Sequence, residues 1–161
     1  MSSKTPTVKQ VAWISIIPQL IVMGLLIFIW YQFNQKDFII YGAGSYLILS
    51  YILRSSIPKE HRVGMKKVKT ENFESAIHDF EKSYEFFQKH GWIDKYRFLV
   101  LLSSSRITYK EMALNNIAFC YGQIGQGDKS KEYYERTLKE YPDSGMAKAG
   151  LRLLNSTSKN E

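Results

Sequence analysis

The chain has 161 residues, room for one ordinary domain with additions, and its single cysteine excludes an intramolecular disulfide framework. The formal net charge is +7, but residues 1–69 hold nine Lys or Arg against two acidic residues, while residues 70–161 hold thirteen of each. A basic surplus confined to the flank of an apolar stretch points to membrane topology rather than to a nucleic-acid face, so nucleic acid is set aside as a partner.

Residues 2–10 are polar and carry Lys4 and Lys9. From Val11 to Phe33 no residue is charged. As a helix this run extends roughly 35 Å, enough for the hydrocarbon core of a bilayer with some tilt. Trp13 lies near one end and Trp30 and Tyr31 near the other, as amphipathic rings at two interfaces would. Pro18 and Gln19 interrupt the apolar pattern and need a neighbouring helix to cover them. The run is too long for a signal peptide core, and no small-residue cleavage site follows before Lys36, so an uncleaved anchor is expected.

After the polar turn Asn34–Asp37, a second uncharged run extends from Phe38 to Leu53. It is short for a span unless Arg54 snorkels and extends it to about Ile57; a re-entrant or surface-lying segment is the alternative. Gly42, Ala43, Gly44 and Ser45 would let it pack closely on the first helix. The basic cluster Arg54, Lys59, Arg62, Lys66, Lys67 and Lys69 follows, whereas the turn has Lys36 offset by Asp37. The positive-inside bias then puts both termini, and everything after the hairpin, in the cytoplasm, with the cluster able to rest against anionic headgroups.

Beyond Pro58 the chain is soluble in character. Asn72 is placed to cap a helix carrying Phe73, Ala76, Ile77, Phe80, Tyr84 and Phe87 on one face. Trp92, Tyr96, Leu99, Ser103, Ile107, Lys110, Leu114, Ile117 and Tyr121 recur at threes and fours. That pattern fits one helix from about 92 to 124, or two broken at Ser103–Ser105. Residues 98–102 are too short to span and are expected to be buried. Leu114, Ile117, Ala118 and Tyr121 line one face of a helix that ends near Gly125. Asp128 then caps a run bearing Tyr134, Leu138 and Tyr141, closed by Pro142. Met146–Leu154 continue as a capping helix, and the chain from Asn155 to Glu161 is expected to fray.

The hairpin at 111–142 resembles a tetratricopeptide repeat: Leu114, Ile117, Ala118, Tyr121, Gly125, Ser130, Tyr134, Thr137 and Pro142 stand at the offsets of that family's signature. Ser130 and Thr137 replace the usual alanines, which puts residue identity, though not size, outside the pattern. A degenerate repeat is recognisable in Gly64, Phe73, Ala76, Phe80 and Ser83, with Lys67 where an aromatic is usual, and an insert of about twenty residues separates the two. The resemblance spans about Lys59–Leu154 and is specific only for 111–142. It implies a short α-solenoid whose first helices line a groove for peptides or partner helices. Carried to this chain, the groove residues are Met112, Asn115, Asn116, Phe119 and Gln123; ordinary polar surface is the alternative for the two asparagines. Asn116 matches an asparagine that in chaperone-binding members holds a peptide's terminal carboxylate. The accompanying basic positions are not matched, being His61 and Met65 in the first repeat and Ser144 and Lys148 in the third.

No catalytic pattern stands out. His61, His78 and His90 lack metal-ligand spacing, Cys120 falls one residue before Tyr121 in the first repeat helix, where a cysteine is expected to be packed rather than reactive, and Glu132, Glu135 and Glu140 fit a solvated helix face. The expectation is therefore an all-α, non-enzymatic protein without cofactor or metal. It comprises a membrane anchor at 1–57, with spans at about 11–33 and 38–57, a repeat-like domain at 58–155 and a tail at 156–161. Its role would be to hold a protein partner at the cytoplasmic membrane face; the alternative is a structural or assembly subunit held through its hairpin in a larger membrane complex. With so few repeats, self-association or a constant partner would be in keeping.

Overall fold

The computed structural model describes residues 12–157, and among them every regular element is helical. They are a short 3-10 turn Trp13–Ser15 followed by α1 (Ile16–Phe33), α2 (Phe38–Ser56), α3 (Lys59–Lys69), α4 (Phe73–Lys89), α5 (Gly91–Lys95), α6 (Arg97–Val100), α7 (Tyr109–Gln123), α8 (Gly127–Glu140) and α9 (Gly145–Thr157). The fold is thus all-α with two apolar helices at its start. Residues 158–161 lie outside the described part, but α9 runs on to Thr157, so Asn155–Thr157 are helical rather than frayed. Residues 92–124 are not one helix: α5 and α6 are short, and residues 101–108 break the chain ahead of α7.

The described chain divides into two compact units. One contains Lys59–Gly91 and 107–157; the other contains 12–58 together with Trp92–Arg106. The insert between the two repeat-like hairpins therefore belongs with the apolar helices, although its sequence position suggests the repeat domain.

In the first unit, consecutive helices pack side by side in the order α3, α4, α7, α8 and α9. Two helix starts have side-chain caps: Asn72 accepts from the Ser75 amide at α4 and Thr108 from the Glu111 amide at α7. Asp128, expected to cap the next helix, does not: α8 begins at Gly127 with Gln126 at its N-cap and no side-chain cap, and Asp128 lies within the first turn, where its charge suits the helix dipole. Gly125, at φ 76°, follows the α7 C-cap Ile124 in the left-handed region that a residue without Cβ enters easily. The core is built from Phe80, Phe87, Leu114 and Ile117, all at most 1% exposed, with Ala76, Ala113, Ala118 and Cys120 letting the helices close on one another. Gly64 lies flat against Phe80, and Gly150 against Tyr134; a Cβ at either would overlap the ring. Polar groups tie the layers. Tyr84 donates to Glu140 (2.7 Å), Lys110 pairs with the same carboxylate (2.8 Å), and Arg136 reaches it from one turn earlier on α8 (3.5 Å). Glu140 is therefore a link between α4, α7 and α8, not part of a solvated face; Glu132 and Glu135 are exposed as expected.

The second unit is inverted in character. α1 and α2 are each long and apolar enough to cross a membrane, and their side chains point outward on nearly every side: Ile17, Leu25, Phe28, Ile40 and Leu47 are all more than half exposed. Their mutual contact runs along a narrow seam. Gly42 meets the backbone of Ile27, Trp30 stacks on Tyr41 (centroids 5.0 Å apart), and the Trp30 indole donates to Ser45 Oγ (2.9 Å). Gly44 has no such neighbour, so of the small-residue run Gly42 is the position that sets the close approach. Pro18 is the third residue of α1, where its missing N–H costs no intrahelical bond.

The insert is fastened to these helices by polar bonds. Gln19 donates its amide to the Leu102 carbonyl (3.1 Å), the Arg54 guanidinium donates to the same oxygen, and the Ala12 amide donates to Ser104 (2.8 Å). Arg54 is thus engaged with the insert rather than free to snorkel, and it is a loop of this insert, not a helix, that satisfies Gln19. Leu102 is held at φ 47°, an unfavourable conformation for a Cβ-bearing residue, with its carbonyl gripped by two donors. Arg97, 8% exposed, closes the segment on itself by donating to the carbonyls of Asp94, Ser105 and Arg106 (2.7–3.0 Å). Leu101 and Leu102 are fully buried, as the pattern suggested, whereas Leu99 is exposed.

Candidate partner-binding surface

The groove residues expected on α7 do not share one environment. Asn115 is buried and donates to the Glu111 carbonyl (3.0 Å) and to Ser144 Oγ (3.4 Å) just before α9, so it works inside the unit and offers no surface. Asn116 is half-buried, with its amide 3.5 Å from Met65 Sδ on α3. Phe119 is also half-buried and packs edge-on against Phe73, which makes it a margin of the core. Met112 is half-buried and Gln123 exposed. Of these candidates, Met112, Asn116 and Gln123 are left on the surface, with the edge of Phe119.

The residues set beside a terminal-carboxylate clamp do not form one. His61 is buried between the rings of Phe80 and Tyr109, and burial lowers its pKa to about 4, so at neutral pH it offers no positive charge. Ser144 is turned toward Asn115, and Lys148 lies on the surface near Asp143. Cys120 is completely buried and burial pushes its thiol up to about 12, the reverse of what activates a nucleophile.

The basic cluster divides as well. Lys67 turns inward: it pairs with the buried Asp79 (2.6 Å) and approaches the Ser75 carbonyl, bracing α3 on α4 where an aromatic was expected. Lys59, Arg62, Lys66 and Lys69 share the exposed face of α3, opposite the buried His61, Gly64 and Val68. Arg54 belongs to the other unit, at the end of α2.

A feature unforeseen in the sequence is an open cleft of about 420 Å³ lined by Glu81, Tyr84, Glu85, Gln88, Tyr133 and Arg136, with Leu114 and Ile117 at its base. Arg136 stands over the Tyr84 ring (4.6 Å) and near that of Tyr133 (5.8 Å). Burial, reinforced by the Glu81 charge, raises the pKa of Tyr133. Glu81, Glu85 and Gln88 recur at fours and threes on α4, which was the available signal; it is hard to separate from an ordinary solvated face.

The two long apolar helices, the all-helical fold and the α7 surface define an all-α protein with two potential membrane spans. No protein family, curated protein or solved structure matches this chain.

Proposed function

We propose that this protein is a membrane-anchored interaction module. α1 and α2 cross the bilayer as a hairpin, both termini and the repeat-like unit lie in the cytoplasm, and the exposed row on α7 receives a protein partner. The membrane part of the reading rests on apolar side chains directed outward around both helices, a surface that water disfavours and lipid accepts. Its orientation rests on the exposed basic face of α3 directly after the second span. The repeat-like part rests on a constant offset: Gly64, Ala76, Phe80 and Ser83 are matched by Ala118, Ser130, Tyr134 and Thr137, and all are buried. On that reading α3, α7 and α9 are the groove-lining helices.

The observation that carries the binding role is the partly exposed Met112, Asn116 and Gln123 row above a complete core. A photo-crosslinking residue placed at Asn116 of the full chain in native membranes should yield one discrete protein adduct. The same residue at Lys131, exposed on α8, should not. Equal adducts from both, or none from Asn116, would remove α7 as the binding face.

A subunit held in a larger membrane assembly through its hairpin is the second reading, favoured by the outward apolar faces of α1 and α2. It predicts protein adducts, not lipid adducts, from the same probe at Phe28 or Ile48.

A further inference from the structure

Measured from the interhelical turn, α1 rises about 20 Å between Phe33 and Leu20, and α2 rises about as far between Phe38 and Leu53. A hydrocarbon core is about 30 Å thick. If the hairpin spans, its apolar slab therefore continues to the level of Gln19 and Arg54, where both side chains grip the Leu102 carbonyl. The insert thus meets the hairpin no farther out than the edge of the membrane, up to roughly 10 Å inside the boundary of that slab. Its composition suits that depth. The irregular backbone at Leu101–Ser103 is buried in protein, and carbonyls of the segment are taken up by Gln19, Arg54, Arg97 and the Ala12 amide. Non-helical backbone is tolerated near hydrocarbon under those conditions. On its other face, Trp92, Tyr96 and Leu99 recur at four and three residues, each more than half exposed, with Lys95 beside them.

We infer that Trp92–Arg106 is a third membrane element: an interfacial re-entrant segment, docked on the cytoplasmic end of the hairpin, that lays Trp92, Tyr96 and Leu99 into the headgroup–acyl boundary of the bilayer. An indole and a phenol are the side chains that favour this boundary, and a Leu one turn on supplies apolar area below them. The inference rests on the spanning hairpin proposed above and adds to it a lipid contact made by residues that interrupt the repeat-like unit.

The test uses the three tryptophans, all of which lie in the hairpin unit. Full-length protein and its Trp92→Phe variant are reconstituted in vesicles of phosphatidylcholine and phosphatidylglycerol. The difference between their emissions belongs to Trp92, and the variant's own emission to Trp13 and Trp30. Trp92 is exposed, so the substitution leaves packing intact. The expected result is a difference emission quenched roughly twofold by a nitroxide near the headgroup and little changed by aqueous iodide, as for an interfacial indole. Quenching by iodide but not by lipid nitroxide, with Trp13 and Trp30 still quenched from the lipid, overturns the inference and leaves the hairpin standing. Shielding of Trp92 from both quenchers assigns the face to a protein contact and also overturns it. Loss of lipid quenching for all three tryptophans removes hairpin and segment together.

Discussion

Gly64 and Gly42 mark the contrast between the two units. Each lets one helix come against another with no Cβ between them, Gly64 against the ring of Phe80 and Gly42 against the backbone of Ile27. Around Gly64 the contact opens into a core of Phe80, Phe87, Leu114 and Ile117, with apolar groups inside and charges outside. Around Gly42 it remains a seam with Trp30, Tyr41 and Ser45 on it, and many of the large aliphatic groups are directed away. The first unit is held by removing apolar area from water. The second has little apolar area inside to remove, so close backbone approach and internal hydrogen bonds carry its specificity, as for helices whose solvent is lipid.

The contrast is open to measurement because each unit has its own native reporter. Cys120, fully buried with its thiol pushed up to about 12, reports opening of the repeat-like unit through its labelling rate; the tryptophans report the hairpin unit. The largest effect is expected from Phe80→Ala, which empties the site between α3, α4 and α7. A loss of about 3–5 kcal/mol should raise Cys120 labelling a hundredfold or more while tryptophan emission stays unchanged. Parallel changes in both reporters would mean that the two units do not unfold separately.

Arg97→Ala should act in the other unit. It strips donors from the carbonyls of Asp94, Ser105 and Arg106 around a buried side chain, at about 3 kcal/mol. Hydrogen exchange should rise across residues 94–106 and Trp92 emission should shift, with Cys120 labelling as in the parent. Unaltered exchange there would show that Gln19 and Arg54 suffice to hold the insert. Gly42→Val comes next, at about 1–3 kcal/mol, because Ile27 offers backbone rather than a movable side chain to the added carbons. It should loosen the Trp30–Ser45 hydrogen bond and red-shift tryptophan emission; a silent variant would show that the seam does not fix the hairpin.

What the sequence discloses follows the same division. The helices of the repeat-like unit are legible because their apolar periodicity is a direct record of burial, as at Ala76, Phe80, Ile117 and Tyr134. The apolar runs are legible by length alone; the small residues Gly42–Ser45 mark the contact face of the second, but nothing in the first marks Ile27 and Trp30 as their counterparts. The insert misleads: Trp92, Tyr96 and Leu99 have helical spacing, but on their helical turns they are exposed, and the buried residues between them are Ile93 and two charged groups, Asp94 and Arg97. Periodicity identifies a face without saying what covers it. Polar residues mislead for a related reason. Asn115 and Glu140 match solvated or ligand-binding positions by type, while their partners Ser144, Lys110 and Tyr84 stand far away in sequence. Gln19 and Lys67 are the converse, since each departs from its local pattern at a point where a distant segment supplies its partner. In this chain the local anomaly is the better guide to long-range contact.

The smallest expected effect concerns Glu140, and it sharpens the comparison because it adds a titratable bond to the unit otherwise held by apolar packing. Partial burial alone would raise the pKa of this carboxyl, but the hydrogen bonds from Lys110 and Tyr84 and the nearby Arg136 outweigh it, so the folded value lies below the ordinary one. A depressed folded pKa stabilises the fold at pH values above the unfolded pKa, about 4.3 for a glutamate, and that contribution disappears as pH falls through the folded value. Lys110 has the mirror behaviour: although burial lowers its pKa, Glu140 raises it further, so its share is present at neutral pH and is lost only in strong alkali. Glu140→Gln should therefore cost about 1–2 kcal/mol at pH 7, since Tyr84 keeps an acceptor while Lys110 loses its counter-charge. Cys120 labelling should rise roughly five- to thirtyfold, and the gap between variant and parent should narrow below pH 4, where the parent loses the same charge. A gap that persists undiminished in acid would mean that the side chain works there by packing and not by charge, leaving the Lys67–Asp79 pair as the charged tie within this unit.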